Sequence, residues 1–159
     1  MRTLTLTIIF SLVAVFTQTA ETVSQDNLQE NAKTNVVTGF EIESWAYDRG
    51  NFSVSLNQYR AGGPPPIHYG GKTPAFVEYD IPFPAAGKYR FSMFAAVYEK
   101  RPLAVFLDNK EVGEICHEKT TKSWNTIDAQ WFAPVELDIA EKGVHTVKLL
   151  ANPYPPHLV

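Results

Sequence analysis

Pro74-Ala75-Phe76-Val77-Glu78-Tyr79-Asp80-Ile81-Pro82-Phe83-Pro84-Ala85-Ala86-Gly87-Lys88-Tyr89-Arg90-Phe91-Ser92-Met93-Phe94-Ala95-Ala96-Val97 alternates apolar residues at period two in both of its halves. Val77, Tyr79 and Ile81 share one face of the first half. Tyr89, Phe91, Met93, Ala95 and Val97 share one face of the second, as alternation in an extended chain requires. Between the halves, Pro82 and Pro84 remove two backbone donors and Gly87 supplies a permissive corner. The stretch predicts strand, tight corner, strand: a hairpin whose apolar face must be buried against a second sheet.

Reading outward toward the N-terminus, the folded domain is expected to start at Gly39. Phe40-Glu41-Ile42-Glu43-Ser44-Trp45 alternates, with Phe40 and Ile42 on one face and Glu41 and Glu43 on the other. Residues 46–73 form a long irregular stretch containing Gly62-Gly63-Pro64-Pro65-Pro66 and Gly70-Gly71, and it carries Tyr47, Tyr59 and Tyr69. Loops of that length are functional or disordered.

Reading toward the C-terminus, Leu103 to Leu107 is a strand, Asp108-Asn109-Lys110 a turn, and Glu111 to Ile115 its returning partner. A second long loop, 117–128, holds Thr120, Thr121, Ser123, Trp124 and Asn125. Gln130 to Leu137 is a strand that Pro134 confines to an edge or a bulge, with Trp131-Phe132 read as core. Glu141-Lys142-Gly143 is a turn, His145 to Leu150 a strand, and the tail from Asn152 to Val159 is extended. Roughly seven or eight short strands with regular turn signals and no amphipathic helix predict an all-β chain, a two-sheet antiparallel β-sandwich.

Residues 1–20 have the build of an export signal: Arg2 precedes an apolar run from Ile8 to Phe16, and Ala20 ends a small-residue region. An uncleaved anchor is the other reading, although the run is short for a membrane span. Both place the domain in a secreted, periplasmic or otherwise extracytoplasmic setting. Residues 21–38, rich in Glu, Asn, Gln and Thr, read as a flexible linker.

Composition narrows the function classes. Hydrophobic residues make up 45% of the 159, which suits a packed core. The net charge is −3 with no Lys/Arg cluster, which argues against nucleic acid and anionic membranes as partners. Cys116 is the single cysteine, so an intramolecular disulfide is excluded; it reads as a buried strand residue or, more sharply, as an intermolecular disulfide partner or a reactive thiol. The sequence has no Gly-x-Ser-x-Gly elbow, phosphate loop or His-Glu-x-x-His, and His68, His117, His145 and His157 are scattered singly. Glu41 and Glu43 lie on one strand, whereas a glycosidase pair must flank a bond from two sides. The chain is not expected to be an enzyme.

Two binding chemistries remain. Glu41 and Glu43 put two carboxylates on one strand face, where they are either solvated or neutralised by a cation such as calcium. Trp124 sits in a polar loop, and Tyr59 and Tyr69 in the other long loop. Flat rings of this kind stack on the C–H face of a pyranose, while Asn and hydroxyl groups bond its oxygens. Trp124 folding back as a lid on the core, with the tyrosines capping a sheet edge, is the competing reading.

The ordered set Phe40-Glu41-Ile42-Glu43, Phe76 to Ile81, Pro84 to Phe91, Phe94-Ala95-Ala96, Arg101 to Asn109, Trp124 to Trp131 and Lys142 to Leu149 resembles the carbohydrate-binding modules of families 6 and 35, galactose-binding-like jelly rolls found in large secreted bacterial proteins. The resemblance covers residues 39–159. It implies a non-catalytic module that binds a polysaccharide or glycan and is joined to other domains of a larger secreted protein. It implies a structural calcium at Glu41 and Glu43, and a sugar ring held between Trp124 and a tyrosine, Tyr69 first and Tyr59 as the alternate, with Asn125 or Asn152 bonding hydroxyls. Two positions depart from the pattern. The family's last strand carries a calcium-binding Asp, and the chain stops at Val159 inside or just before that strand, with Asn152 as an approximate stand-in. The Gly-Gly before the loop Trp is Lys122-Ser123 here. A protein-interaction or spacer module on the same fold, with no glycan, is the alternative.

Overall fold

A computed structural model of the chain describes residues 13–14, 39–57, 59 and 63–159. The expected export signal and linker lie outside the described residues, except for Val13–Ala14. The strands are β1 (Val13–Ala14), β2 (Phe40–Glu41), β3 (Arg49–Gly50), β4 (Ser53–Val54), β5 (Ile67–His68), β6 (Ala75–Phe83), β7 (Gly87–Ala96), β8 (Leu103–Leu107), β9 (Lys110–Ile115), β10 (Gln130–Ile139), β11 (Gly143–Ala151) and β12 (His157–Leu158). One 3₁₀ turn, Thr126–Asp128, precedes β10. Two five-stranded sheets, in the orders β10-β7-β12-β5-β4 and β3-β6-β11-β8-β9, face one another, and β1 pairs with β2 apart from them. Every strand pair is antiparallel. The chain is a two-sheet antiparallel β-sandwich of the jelly-roll kind.

Period two governs which side chains are buried. Val77, Tyr79, Ile81 and Phe83 of β6 and Tyr89, Phe91, Met93 and Ala95 of β7 all point into the space between the sheets. Ile67, Leu103, Ile115, Phe132, Leu137 and Ile139 complete the packing. Burial of about 25 cal/mol per Å² of apolar surface over so many large side chains is what drives the two sheets together.

Residues 74–97 depart from the expected hairpin. β6 pairs with β11 and β3, whereas β7 pairs with β10 and β12. The corner therefore crosses from one sheet to the other. The cause lies in the corner itself: Pro82 and Pro84 cannot donate to a ladder, and Gly87 takes φ 144°, a region open to glycine. The Tyr89 hydroxyl pins the corner by donating to the carbonyl of Ala85 at 2.8 Å.

Three further differences bear on the site. The strand expected to open the domain at Phe40, β2, is only Phe40–Glu41, because the chain turns at Ser44-Trp45, where Ala46 N–H donates to the Glu43 carbonyl and the Tyr79 hydroxyl to that of Ser44. The long stretch 46–73 contributes β3, β4 and β5. The extended tail is β12, inserted between β7 and β5 in the middle of its sheet, with Leu158 fully buried.

Pro134 sits where its chemistry permits. β10 is an edge strand, and its register with β7 shifts between Phe132 and Val135. Of Trp131 and Phe132, only Phe132 is core. Trp131 is 39% exposed and faces outward against Phe94, with ring centroids 5.1 Å apart, since adjacent strand residues point to opposite faces. Cys116 is buried and free, and burial pushes its thiol well above the ordinary range, so it is not a reactive thiol.

Candidate functional site

The outer face of the sheet containing β12 is fixed by register. Leu158 pairs with Ile67 of β5 and Ala95 of β7, and all three are buried. Their neighbours His157, His68 and Ala96 therefore turn away from the core. The loop 117–128 is fastened beside this face. Thr121 N–H donates to the Val97 carbonyl at 2.8 Å, and Val97 N–H donates to the Thr121 hydroxyl at 2.9 Å. His157 Nδ1–H donates to the Trp124 carbonyl at 2.8 Å. Thr126 N–H donates to the Tyr59 carbonyl at 2.7 Å, joining the two long loops.

These bonds assemble an aromatic cluster. The Trp124 ring lies 4.8 Å from His157 and 5.8 Å from Tyr98, and the Arg101 guanidinium sits 4.3 Å from its centroid. Tyr59 packs edge-on at 4.3 Å from His157 and 5.8 Å from His68. Arg101 donates to the Pro155 carbonyl at 3.1 Å and pairs with Glu99 at 2.8 Å. Burial pushes His157 down to about 4, against the pull of the Trp124 carbonyl and with the Arg101 charge nearby. The ring is neutral at neutral pH, with its proton on Nδ1, because a carbonyl only accepts.

Tyr59 lies in ring contact with His157 and so reaches Trp124 through one imidazole. Tyr69 packs at 4.9 Å against Tyr154, whose ring is 5.5 Å from the Arg101 guanidinium, and its hydroxyl meets the Thr73 hydroxyl at 3.1 Å. It reaches the cluster by that longer route. Asn125 caps the 3₁₀ turn next to Trp124, exposed, with its N–H donating to the Ser123 hydroxyl. Asn152 is exposed at the end of β11.

Arg101, Tyr98, Tyr154, His68 and His157 were not legible as site residues. Arg101 and Tyr98 flank an ordinary-looking polar turn. His68 and His157 lie in two-residue strands, too short for alternation to declare a face. The apolar Leu158-Val159 pair ending the tail was the sequence signal of its burial.

Glu41 is exposed and Glu43 half-buried, and neither forms an ion pair with another described residue. Among the described residues no group of three or more His, Cys, Asp or Glu is placed to hold a metal ion. Two carboxylates and nearby backbone carbonyls are donors of the hard-oxygen kind calcium takes, although it usually takes six to eight.

A cleft of about 230 Å³ between β2 and β6 is lined by Phe40, Ile42, Tyr79, Ile81 and Pro82, with Asp48 and Asp80. Both carboxylates are engaged. Asp80 takes two bonds from Arg49 and one from the Thr146 hydroxyl, all at 2.7 Å, and is pushed down to about 2. Asp48 accepts the Asp80 N–H at 2.8 Å.

No family model and no curated protein matches the sequence. Among solved structures, the chain is similar to a family 35 carbohydrate binding module from Clostridium thermocellum. The identity is 17%, the TM-score is 0.56, and the match covers 68% of this chain and 83% of that one. At that identity the likeness is one of fold.

Proposed function

We propose that the chain is a secreted, non-catalytic carbohydrate-binding module, with its glycan held over the Trp124 cluster. The observation that carries the reading is the set of exposed ring surfaces, Tyr98 at 54% and Tyr59 at 37%, gathered round the half-buried Trp124 by backbone bonds from three separate parts of the chain. A pyranose offers an apolar face to such rings and hydroxyls to Asn125, Arg101 and the tyrosine oxygens. Tyr59 stands nearer to Trp124 than Tyr69 does; Tyr69 and Asn152 serve an extension of the same ligand beyond Tyr154. The likeness to a carbohydrate-binding fold supports the same reading. Affinity is expected to be modest, because a shallow site buries little of its ligand.

Glu41 and Glu43 would hold a structural calcium, whose role is to neutralise the pair and fasten β2 and the turn after it. The module would travel with other domains of a larger secreted protein. The rival is a protein-interaction or spacer module.

A glycan array run with and without chelator tests the reading, with Trp124→Ala and Tyr98→Ala retained on insoluble polysaccharide as follow-up. Binding that both variants weaken supports the sugar site; no hit on any glycan, or retention unchanged in both, overturns it. Chelator should lower the melting temperature if calcium is bound; an unmoved melting curve removes the calcium.

A further inference from the structure

We infer that His68 and His157 form a two-imidazole site for a borderline divalent ion of the zinc type. The register Leu158↔Ile67 in an antiparallel pair sets His157 directly opposite His68. Both turn away from the core, since Ile67 and Leu158 point into it with no exposure. Directly opposed residues bring their Cβ atoms close enough for side chains to converge. The ring centroids are 5.5 Å apart, with an interplanar angle of 53°. Two imidazoles bound through one nitrogen each at ~2.0–2.1 Å to a tetrahedral ion hold their centroids roughly 5 Å apart.

The second requirement is a fixed tautomer. The Trp124 carbonyl takes the Nδ1 proton of His157 at 2.8 Å, which leaves the lone pair on Nε2. Histidine ligands to metals are oriented by this arrangement, the other ring nitrogen donating to a carbonyl or carboxylate. The cross-strand neighbours in the same row are small: Ala96 beside His157 and Ser53 beside His68. They leave room beside the two rings, which Tyr59 flanks at 4.3 Å from His157 and 5.8 Å from His68; His157 itself is 7% exposed. Arg101, which packs on the Trp124 ring beside His157, is paired with Glu99. Neutral imidazoles suit zinc, copper and nickel, whereas calcium prefers oxygen. Water would complete the coordination of the ion. This pair is separate from the carboxylates of Glu41 and Glu43, and zinc binding to it needs no glycan.

The test is a zinc chloride titration of the full chain, stripped with chelator, read by calorimetry and thermal unfolding, with calcium and magnesium chlorides as comparators. One zinc ion should bind and raise the melting temperature. The rise should vanish in His68→Gln and persist in His117→Gln. His117 is the control because its Nδ1 lies 3.7 Å from Glu114 and 4.0 Å from Glu118, a rival zinc locus. In the wild-type chain, imidazole ¹⁵N spectra should show zinc shifting the unprotonated nitrogens of two histidines together, which keeps the test decisive if His68→Gln folds poorly. No zinc binding, a response that survives His68→Gln, a response lost in His117→Gln, or shifts confined to His117 or His145 would each overturn the assignment.

Discussion

The guanidinium of Arg101 lies 4.3 Å from the ring centroid of Trp124 while its Nη1–H holds the Pro155 carbonyl at 3.1 Å. One side chain therefore fastens the proposed sugar platform to the segment leading into β12. Replacing it with Gln removes the cation–π contact and a charge-assisted hydrogen bond. The expected loss is about 2 kcal/mol, read as a lower urea midpoint with unchanged slope. Glycan retention should fall with it, since the indole is no longer braced. A midpoint equal to wild type would show that Arg101 is merely a surface charge.

His145 and His157 are expected to give stability opposite dependences on pH. Nδ1 of His145 faces the Asp108 carboxylate at 2.6 Å and Nε2 faces the Glu141 carbonyl at 3.0 Å. Both partners accept, so both nitrogens carry protons and the ring is an imidazolium. The Asp108 carboxylate, then the Glu141 carbonyl, raises its pKa. A raised folded value means that the contribution is complete below the ordinary His range and is lost as pH climbs through the higher one. His157 is depressed to about 4, chiefly by burial. Its contribution is present above the unfolded value of about 6.5 and is lost as pH falls from there. Melting temperatures measured from about pH 4 to 9 should fall at both ends. His145→Gln should flatten the alkaline side and His157→Gln the acid side; unchanged profiles would sever both assignments.

Leu158 tests whether the tail is core. It is fully buried, with Ala95 on one side and Ile67 on the other. Leu158→Ala should cost about 3 kcal/mol through lost transfer energy and the cavity left behind. Chemical denaturation measures it directly, and a cost under about 1 kcal/mol would mean that β12 is peripheral.

Gly70, next to Tyr69, is set by close approach rather than by an unusual φ. A Cβ built there would collide with the Asn51 carbonyl oxygen and crowd the Ser53 hydroxyl. Because the first obstacle is backbone, it cannot rotate aside. Gly70→Ala is expected to destabilise by more than about 2 kcal/mol, whereas Gly71→Ser, in open space at φ 86°, should show only the smaller strain of a left-handed residue. Parallel thermal melts of the two variants decide it.

Long strands were legible and short ones were not. β6, β7, β10 and β11 run nine or ten residues, enough repeats of period two to declare a buried face. The edge position and bulge at Pro134 followed from a missing donor. The partnership of β6 and β7 did not, because a proline corner is compatible with a hairpin or with a crossing, and only packing chooses. β4, β5 and β12 are two residues each, and a pair of residues has no period. The candidate site suffered for the same reason. Trp124 stood out by its polar loop, but its neighbours His157 and Arg101 come from segments that local patterning left blank.

β12 also orders events in time. A ribosome releases the chain N-terminus first, at about 5–20 residues per second. The sheet that bears the aromatic cluster has its central place filled by His157–Leu158, between β7 and β5. Until those residues emerge, β7 and β5 have a gap between them, Trp124 lacks the imidazole that takes hold of its carbonyl, and the strand edges on both sides of the gap are open to other chains. The proposed binding face thus waits on β12, the last of the described strands in chain order, and a chain stalled before it would present sticky, unpaired strands in its place.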